Sequence, residues 1–170
     1  MNHIIKYWIL PLLFIQYVEI TSGQPDNPVF QNYHTEQGLP QNTINAIHQD
    51  QYGFMWFGTQ DGLTRFEGYQ FKIFRHDPLN KNSLANNYLW DINEDEEGIF
   101  WISSFGGGLT RFNPADETFI HYKREPANSK SLSHNNTFSS VRIGKNIWVA
   151  TNDGLSRLDI KTGVTIQPQS

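Results

Sequence analysis

From residue 42 onward, apolar and polar positions alternate in short runs that glycine and aspartate cut every few residues. Thr43–His48 mixes apolar and polar positions, and Asp50-Gln51-Tyr52-Gly53 makes a turn. Phe54–Gly58 reads as a second strand, Thr59–Gly62 as a turn, and Leu63–Phe66 as a third strand. Glu67-Gly68 turns the chain again, and Tyr69–Arg75 alternates rings with polar residues as a fourth. Four such runs between Gly and Asp turns are the signature of consecutive antiparallel strands. A helix would need apolar residues at i, i+3 and i+4, and the glycine spacing would break every such helix.

The pattern then repeats. Gly62-Leu63-Thr64-Arg65-Phe66 returns as Gly108-Leu109-Thr110-Arg111-Phe112 and again as Gly154-Leu155-Ser156-Arg157-Leu158, 46 residues apart each time. A tryptophan precedes each copy: Trp56, Trp101 and Trp148. Further upstream, Asn42…Ile44…Ile47 aligns with Asn87…Leu89…Ile92 and with Asn136…Phe138…Val141. Four strands in a period of this size make one blade of a β-propeller. The predicted blades occupy about 36–78, 79–126 and 127–170.

The phase of the repeat predicts one strand more. Phe71-x-x-Phe74 and Phe119-x-x-Tyr122 mark the fourth strand of the first two blades, and Phe30-x-x-Tyr33 carries the same mark ahead of the first. The expected fold is all-β: an incomplete β-propeller of three four-stranded blades with an extra N-terminal outer strand. A closed propeller takes at least about four blades. Three blades would leave apolar faces and strand edges in water, so the chain reads as the front of a larger propeller.

Composition narrows the function. The 170 residues carry a net charge of −4, which gives no basic field for nucleic acid or anionic lipid. Cysteine is absent, which excludes a disulfide scaffold, a thiolate metal site and a cysteine nucleophile. Aromatic residues reach 14%, with five Trp, so large rings on short strands must supply much of the buried area. Residues 1–23 differ from the rest. Lys6 precedes a largely apolar Tyr7–Val18, and Thr21-Ser22-Gly23 offers small residues for signal peptidase, with Gln24 as the mature start. The apolar stretch is about a dozen residues, short of the roughly 20 that span a bilayer. A cleaved signal peptide, export to the periplasm and no membrane span after cleavage are therefore expected.

Asn42–Phe66, with its Asp50, Gly53, Trp56, Gly58, Thr59 and Gly62-Leu63, resembles the two-component regulator propeller repeat of bacterial sensor proteins. Asn87–Phe112 is similar, with Ser103-Ser104 for Gly-Thr and one extra glycine among Gly106–Gly108. Asn136–Leu158 is two residues short in its first turn and lacks the Asp and Gly there. The linkers Pro78–Leu84 and Pro126–Leu132 and the opening Gly38-Leu39-Pro40-Gln41-Asn42 fit the same resemblance. It implies a periplasmic ligand-sensing array that continues, in such proteins, into a β-sandwich, a transmembrane helix and a cytoplasmic histidine kinase. It also implies a phosphorelay and, for many members, recognition of polysaccharide breakdown products.

Asp50-x-x-Gly53-x-x-Trp56 and Asp95-x-x-Gly98-x-x-Trp101 resemble the Asp-box hairpin of sialidases, whose carboxylate, glycine and ring are structural. A sialidase would further need an arginine cluster and a tyrosine nucleophile with a glutamate partner, whereas Arg65, Arg111 and Arg157 recur at one repeat position. No catalytic residue is assigned. Asn93–Gly98 fits no EF-hand spacing, Gly106–Gly108 precedes no phosphate-binding helix, and the histidines show no metal spacing, so no metal or cofactor is expected. Residues that break the repeat are better ligand candidates than those that keep it. Trp90 stands where the other copies place Asn45 and Ser139, on the innermost strand, and its indole face could stack on a sugar ring. Tyr88 and Asp91 flank it.

The resulting expectation is the amino-terminal part of a periplasmic sensing propeller. It would bind a small molecule or an oligosaccharide and relay the signal, without enzymatic activity. The alternatives are a structural or adhesion propeller that assembles with other blades or with itself, an inactive truncated gene product, and, third, an Asp-box enzyme.

Overall fold

The computed structural model describes residues 29–166. The expected signal peptide, Met1–Gly23, lies outside them. Val29–Gln31 belong to a separate N-terminal unit and carry no secondary structure. From Asn32 the chain makes one 3-10 turn, Thr35–Gln37, and then twelve strands.

The strands form three antiparallel sheets, each a simple meander. The first holds β1 (Ile44–Gln49), β2 (Met55–Thr59), β3 (Gly62–Phe66) and β4 (Phe71–Phe74). The second holds β5 (Leu89–Glu94), β6 (Phe100–Ser104), β7 (Gly108–Asn113) and β8 (Thr118–Tyr122). The third holds β9 (Thr137–Ile143), β10 (Asn146–Thr151), β11 (Gly154–Asp159) and the two-residue β12 (Thr165–Ile166). The first strands of successive sheets pack against one another, β1 on β5 and β5 on β9, which makes them the inner strands of three propeller blades.

The core lies between blades rather than within them. Trp56, Leu63, Leu84, Leu89, Ile92, Phe100, Ile102 and Phe112 fill the first interface. Trp101, Leu109, Leu132, Ile147, Val149 and Leu158 fill the second. Leu84 and Leu132 come from the two inter-blade linkers, whose shape Ser83 and Ser131 fix by accepting the Asp77 and Glu125 amides at 2.9 Å. Trp56 and Trp101 are fully buried, whereas Trp148 stays half-buried under Arg157, whose guanidinium lies 5.8 Å from its ring.

Each Trp in the first two blades is tied to its turn. Asp50 Oδ1 accepts the Tyr52 and Phe54 amides at 2.9 Å, and Oδ2 accepts the Trp56 indole N–H at 2.8 Å. Asp95 does the same for Glu97, Ile99 and Trp101 at 2.9–3.1 Å. The Thr or Ser that closes the second strand also repeats its bond. The Thr59, Ser104 and Thr151 hydroxyls donate to the carbonyls of Gly62, Gly108 and Gly154 at 2.9–3.0 Å. Serine thus replaces threonine in the second blade without loss of the contact.

Two expectations need correction. The extra N-terminal outer strand does not form: Val29–His34 pairs with no strand. A strand is held by a hydrogen-bond ladder. Here the side chain alone is engaged, as Tyr33 places its ring 5.2 Å from Phe66 and 5.9 Å from Phe71. The alignment of the third blade also shifts. In each inner strand one residue bulges out of register with the second strand: Asn45, Trp90 and Phe138. Phe138, not Ser139, is therefore the counterpart of Trp90. The tight Gly144-Lys145 turn leaves Trp148 seven residues from its cross-strand partner Val141, against eight from Trp56 to His48.

Candidate ligand-binding site

The bulge gives Trp90 its position. An extra residue in one strand cannot join the ladder, so its side chain is redirected to the rim of the sheet. The Trp90 ring stacks on Tyr88, with centroids 5.0 Å apart and planes at 29°. Tyr88 in turn meets Phe105, in the β6–β7 turn, at 5.8 Å, and Trp90 meets Phe138, the bulge residue of the next blade, at 6.2 Å. Four rings from two blades thus form a continuous ledge. Phe105 and Phe138 are 49% and 43% exposed, so its outer rings face solvent.

Polar groups edge the ledge. Asp91 Oδ2 accepts the Ser139 hydroxyl of the third blade at 2.6 Å and the Asn93 amide at 2.6 Å. Its Oδ1 accepts the Ile92 N–H at 3.0 Å. The Tyr88 hydroxyl accepts a 3.3 Å bond from Gln60 of the first blade, and Gly106 donates to Asn136 Oδ1 at 2.8 Å. All three blades therefore contribute to this end. The Trp90 indole N–H is shielded from solvent and has no acceptor among the described residues. The hydroxyl of Ser103, which faces Asp91 across the sheet, is unpaired as well. A buried donor without a partner costs about 1–3 kcal/mol, and such groups call for a specific explanation.

The structure thus brings Tyr88, Trp90 and Asp91 together, and adds Phe105 and Phe138 to the ledge. Phe105 sits where the other turns carry Gln60 and Asn152, so its departure from the repeat was a readable signal. Phe138 was hidden by the one-residue shift in the third blade.

At the opposite end of the inner strands, Asn93, Glu94, Asp95, Glu96, Val141, Arg142 and Gly144 line a cleft of about 220 Å³. Two of its three carboxylates, Glu94 and Asp95, are engaged. Arg142 lies 3.0 Å from both Asp95 and Glu97, which hold its guanidinium above the usual arginine value, the Glu97 hydrogen bond foremost. Glu94 meets His48 of the first blade at 2.8 Å. Glu94, Asp95 and Glu97 of this acidic segment thus tie neighbouring blades together, while Glu96 at its tip is exposed.

Residues 38–61 match the family model described as two component regulator propeller. The extracellular domain of BT3049 from B. thetaiotaomicron, described as a hybrid two component system, is 33% identical, with a TM-score of 0.74 over 82% of this chain. The first blade carries a two component regulator propeller repeat. The extracellular domain of BT4673 from the same organism is 26% identical, with a TM-score of 0.65 over 85% of this chain. Histidine kinase P4 of Formosa agariphila is 40% identical over 63 residues, 37% of this chain. The chain spans 20% of each of those two solved chains and 5% of the kinase. Among the described residues of this propeller, no helix is long and apolar enough to cross a membrane.

Proposed function

We propose that this propeller is an exported ligand-sensing module of a two-component signalling protein, and that it binds an oligosaccharide on the Tyr88–Trp90–Phe105–Phe138 ledge. The likeness to extracellular domains supports a periplasmic setting, and residues 1–23 supply the signal peptide. The observation that carries the reading is the ledge itself: four rings assembled from two blades, with Trp90 and Phe138 on bulges and Phe105 in a turn. Aromatic faces give sugar C–H groups an apolar platform, and fixed polar groups at the edge select hydroxyls. Asp91 bonded to Ser139 across the blade boundary offers a route for relay, because a ligand that takes up the carboxylate changes a contact between blades.

The test is intrinsic fluorescence of the full chain titrated with oligosaccharides, alongside Trp90→Ala and Phe105→Ala. Both replacements should weaken binding about tenfold or more while urea stability stays close to that of the parent. Unchanged affinity in both would remove the reading.

A second reading has its own observation. Val141, Ile143, Leu155 and Ile166 of the third blade remain 46–60% exposed, an apolar face of the kind that marks an interaction surface. On this reading the propeller assembles with other blades or with itself. Light scattering decides it: a stable dimer or ring supports assembly, and a folded monomer counts against it.

A further inference from the structure

The end of the propeller that carries the aromatic ledge is built from six short segments: 42–46, 59–62, 86–91, 104–108, 136–140 and 151–154. Together they contain Asp61, Asp91 and Asp153, and no lysine, arginine or histidine. Three of the basic side chains that flank this end are already engaged, whereas Lys123, beside Gly108, has no partner among the described residues. Arg75 lies 2.9 Å from Asp61, and Arg124 donates to the Ser133 carbonyl at 2.6 Å. His134 turns Nδ1 to accept the Asn136 amide at 2.8 Å. Asp91, by contrast, accepts only from neutral donors, Ser139, Asn93 and the Ile92 amide, and has no cationic partner within 4 Å among the described residues.

Sites that recognise carboxylate or sulfate groups do so with guanidinium or ammonium donors, or with helix N-termini. Among the described residues none of these lies in the six segments themselves, and Lys123 stands outside them on the outer side of Gly108. The ledge's one uncompensated side chain beside the rings is a carboxylate, which accepts sugar hydroxyls and repels anions. We infer that the ledge selects neutral saccharides and rejects uronate-bearing and sulfated ones, with Asp91 as the residue that sets this preference. This rests on the reading of the ledge as a saccharide site and adds the chemical class of its ligand.

The experiment presents the full chain to an immobilised panel of neutral oligosaccharides of varied linkage, together with oligogalacturonates and sulfated galactan oligomers. Fluorescence titration of the best binders follows, at low and at moderate salt. Neutral oligomers should bind, and anionic ones should bind at least roughly tenfold more weakly at low salt, a gap that narrows as salt screens the charge. Asp91→Asn should weaken neutral binding, because it removes a strong acceptor for sugar hydroxyls, and should narrow the gap between neutral and anionic oligomers further. Anionic oligomers binding as tightly as neutral ones, or more tightly, would overturn the selectivity while leaving the saccharide site standing. An equal gap in Asp91→Asn and the parent would overturn the role given to Asp91. Binding of neither set would remove the saccharide reading and this inference with it.

Discussion

Asp50 and Trp56 are six residues apart in sequence and joined by a 2.8 Å bond from the indole N–H to a carboxylate that is 7% exposed. The same carboxylate closes the turn between them by accepting two backbone amides. One side chain thus shapes the hairpin and seats the largest ring of the blade core. Asp50→Ala should cost about 3 kcal/mol, since it strands three donors, two of them backbone groups of a tight turn. Trp56→Phe keeps the turn bonds and should cost less than Trp56→Ala. Urea unfolding of the three variants gives the order.

Asp95 carries a further load, because Arg142 of the third blade also bonds to it. Asp95 is only 2% exposed, while Arg142 is 21% exposed. Arg142→Met should cost about 1–2 kcal/mol, below the figure for a fully buried pair because solvent screens the guanidinium. The loss should fall on the third blade, so proteolysis should cut within Thr137–Asp159 before it cuts the first two blades.

Equivalent glycines of the repeat should differ in their tolerance of alanine. A Cβ on Gly62 would sit 2.3 Å from the Phe74 carbonyl oxygen, and one on Gly108 would sit 2.2 Å from that of Tyr122. Gly154 holds a similar positive φ of 78° but meets nothing within 4 Å. Gly154→Ala should cost about 1–2 kcal/mol of backbone strain. The other two add a clash with backbone that cannot swing aside and should cost at least about 3 kcal/mol each. Thermal melts of the three alanine variants test the ranking.

These cases also show what the sequence made legible. The repeat landmarks placed the strands of the first blade within about two residues, because turn glycines and buried rings sit at fixed offsets. The predicted fourth strand of the first blade began at Tyr69, and the observed one begins at Phe71, since Tyr69 is 83% exposed in the turn. The third blade was harder. Its first turn is shortened to Gly144-Lys145 and has lost the aspartate, and β9 runs one residue out of step with the other inner strands. Tyr88, Trp90 and Asp91 were visible as departures from the repeat. Phe138 and the Asp91–Ser139 bond were not, because they depend on that shift and on which blades are neighbours.

The acid side of the stability profile should be set in part by His121, which lies against Thr110. Burial, with Lys123 nearby, pushes its pKa below the usual histidine value. The unfolded chain therefore takes up a proton at a higher pH than the folded chain does. The contribution is complete above about pH 6.5 and is lost as pH falls from there toward the depressed folded value. His121→Asn should lose less stability than the parent between pH 7.5 and 5.5, which urea midpoints at the two pH values will show.

Backbone bonds across the blade boundaries have a mechanical meaning. The Gly62 N–H donates to the Asn87 carbonyl, and the Gly108 N–H donates to that of Asn135, at 2.9 and 2.8 Å. Both clamps tie a second hairpin to the blade that follows, so the middle blade is gripped on both sides and its neighbours on one. In a linear array coupled only to nearest neighbours, opening begins at the ends and moves inward. The amides of Phe100–Ser104 should then exchange last with deuterium, and a pull on the two termini should peel the outer blades before the central one yields.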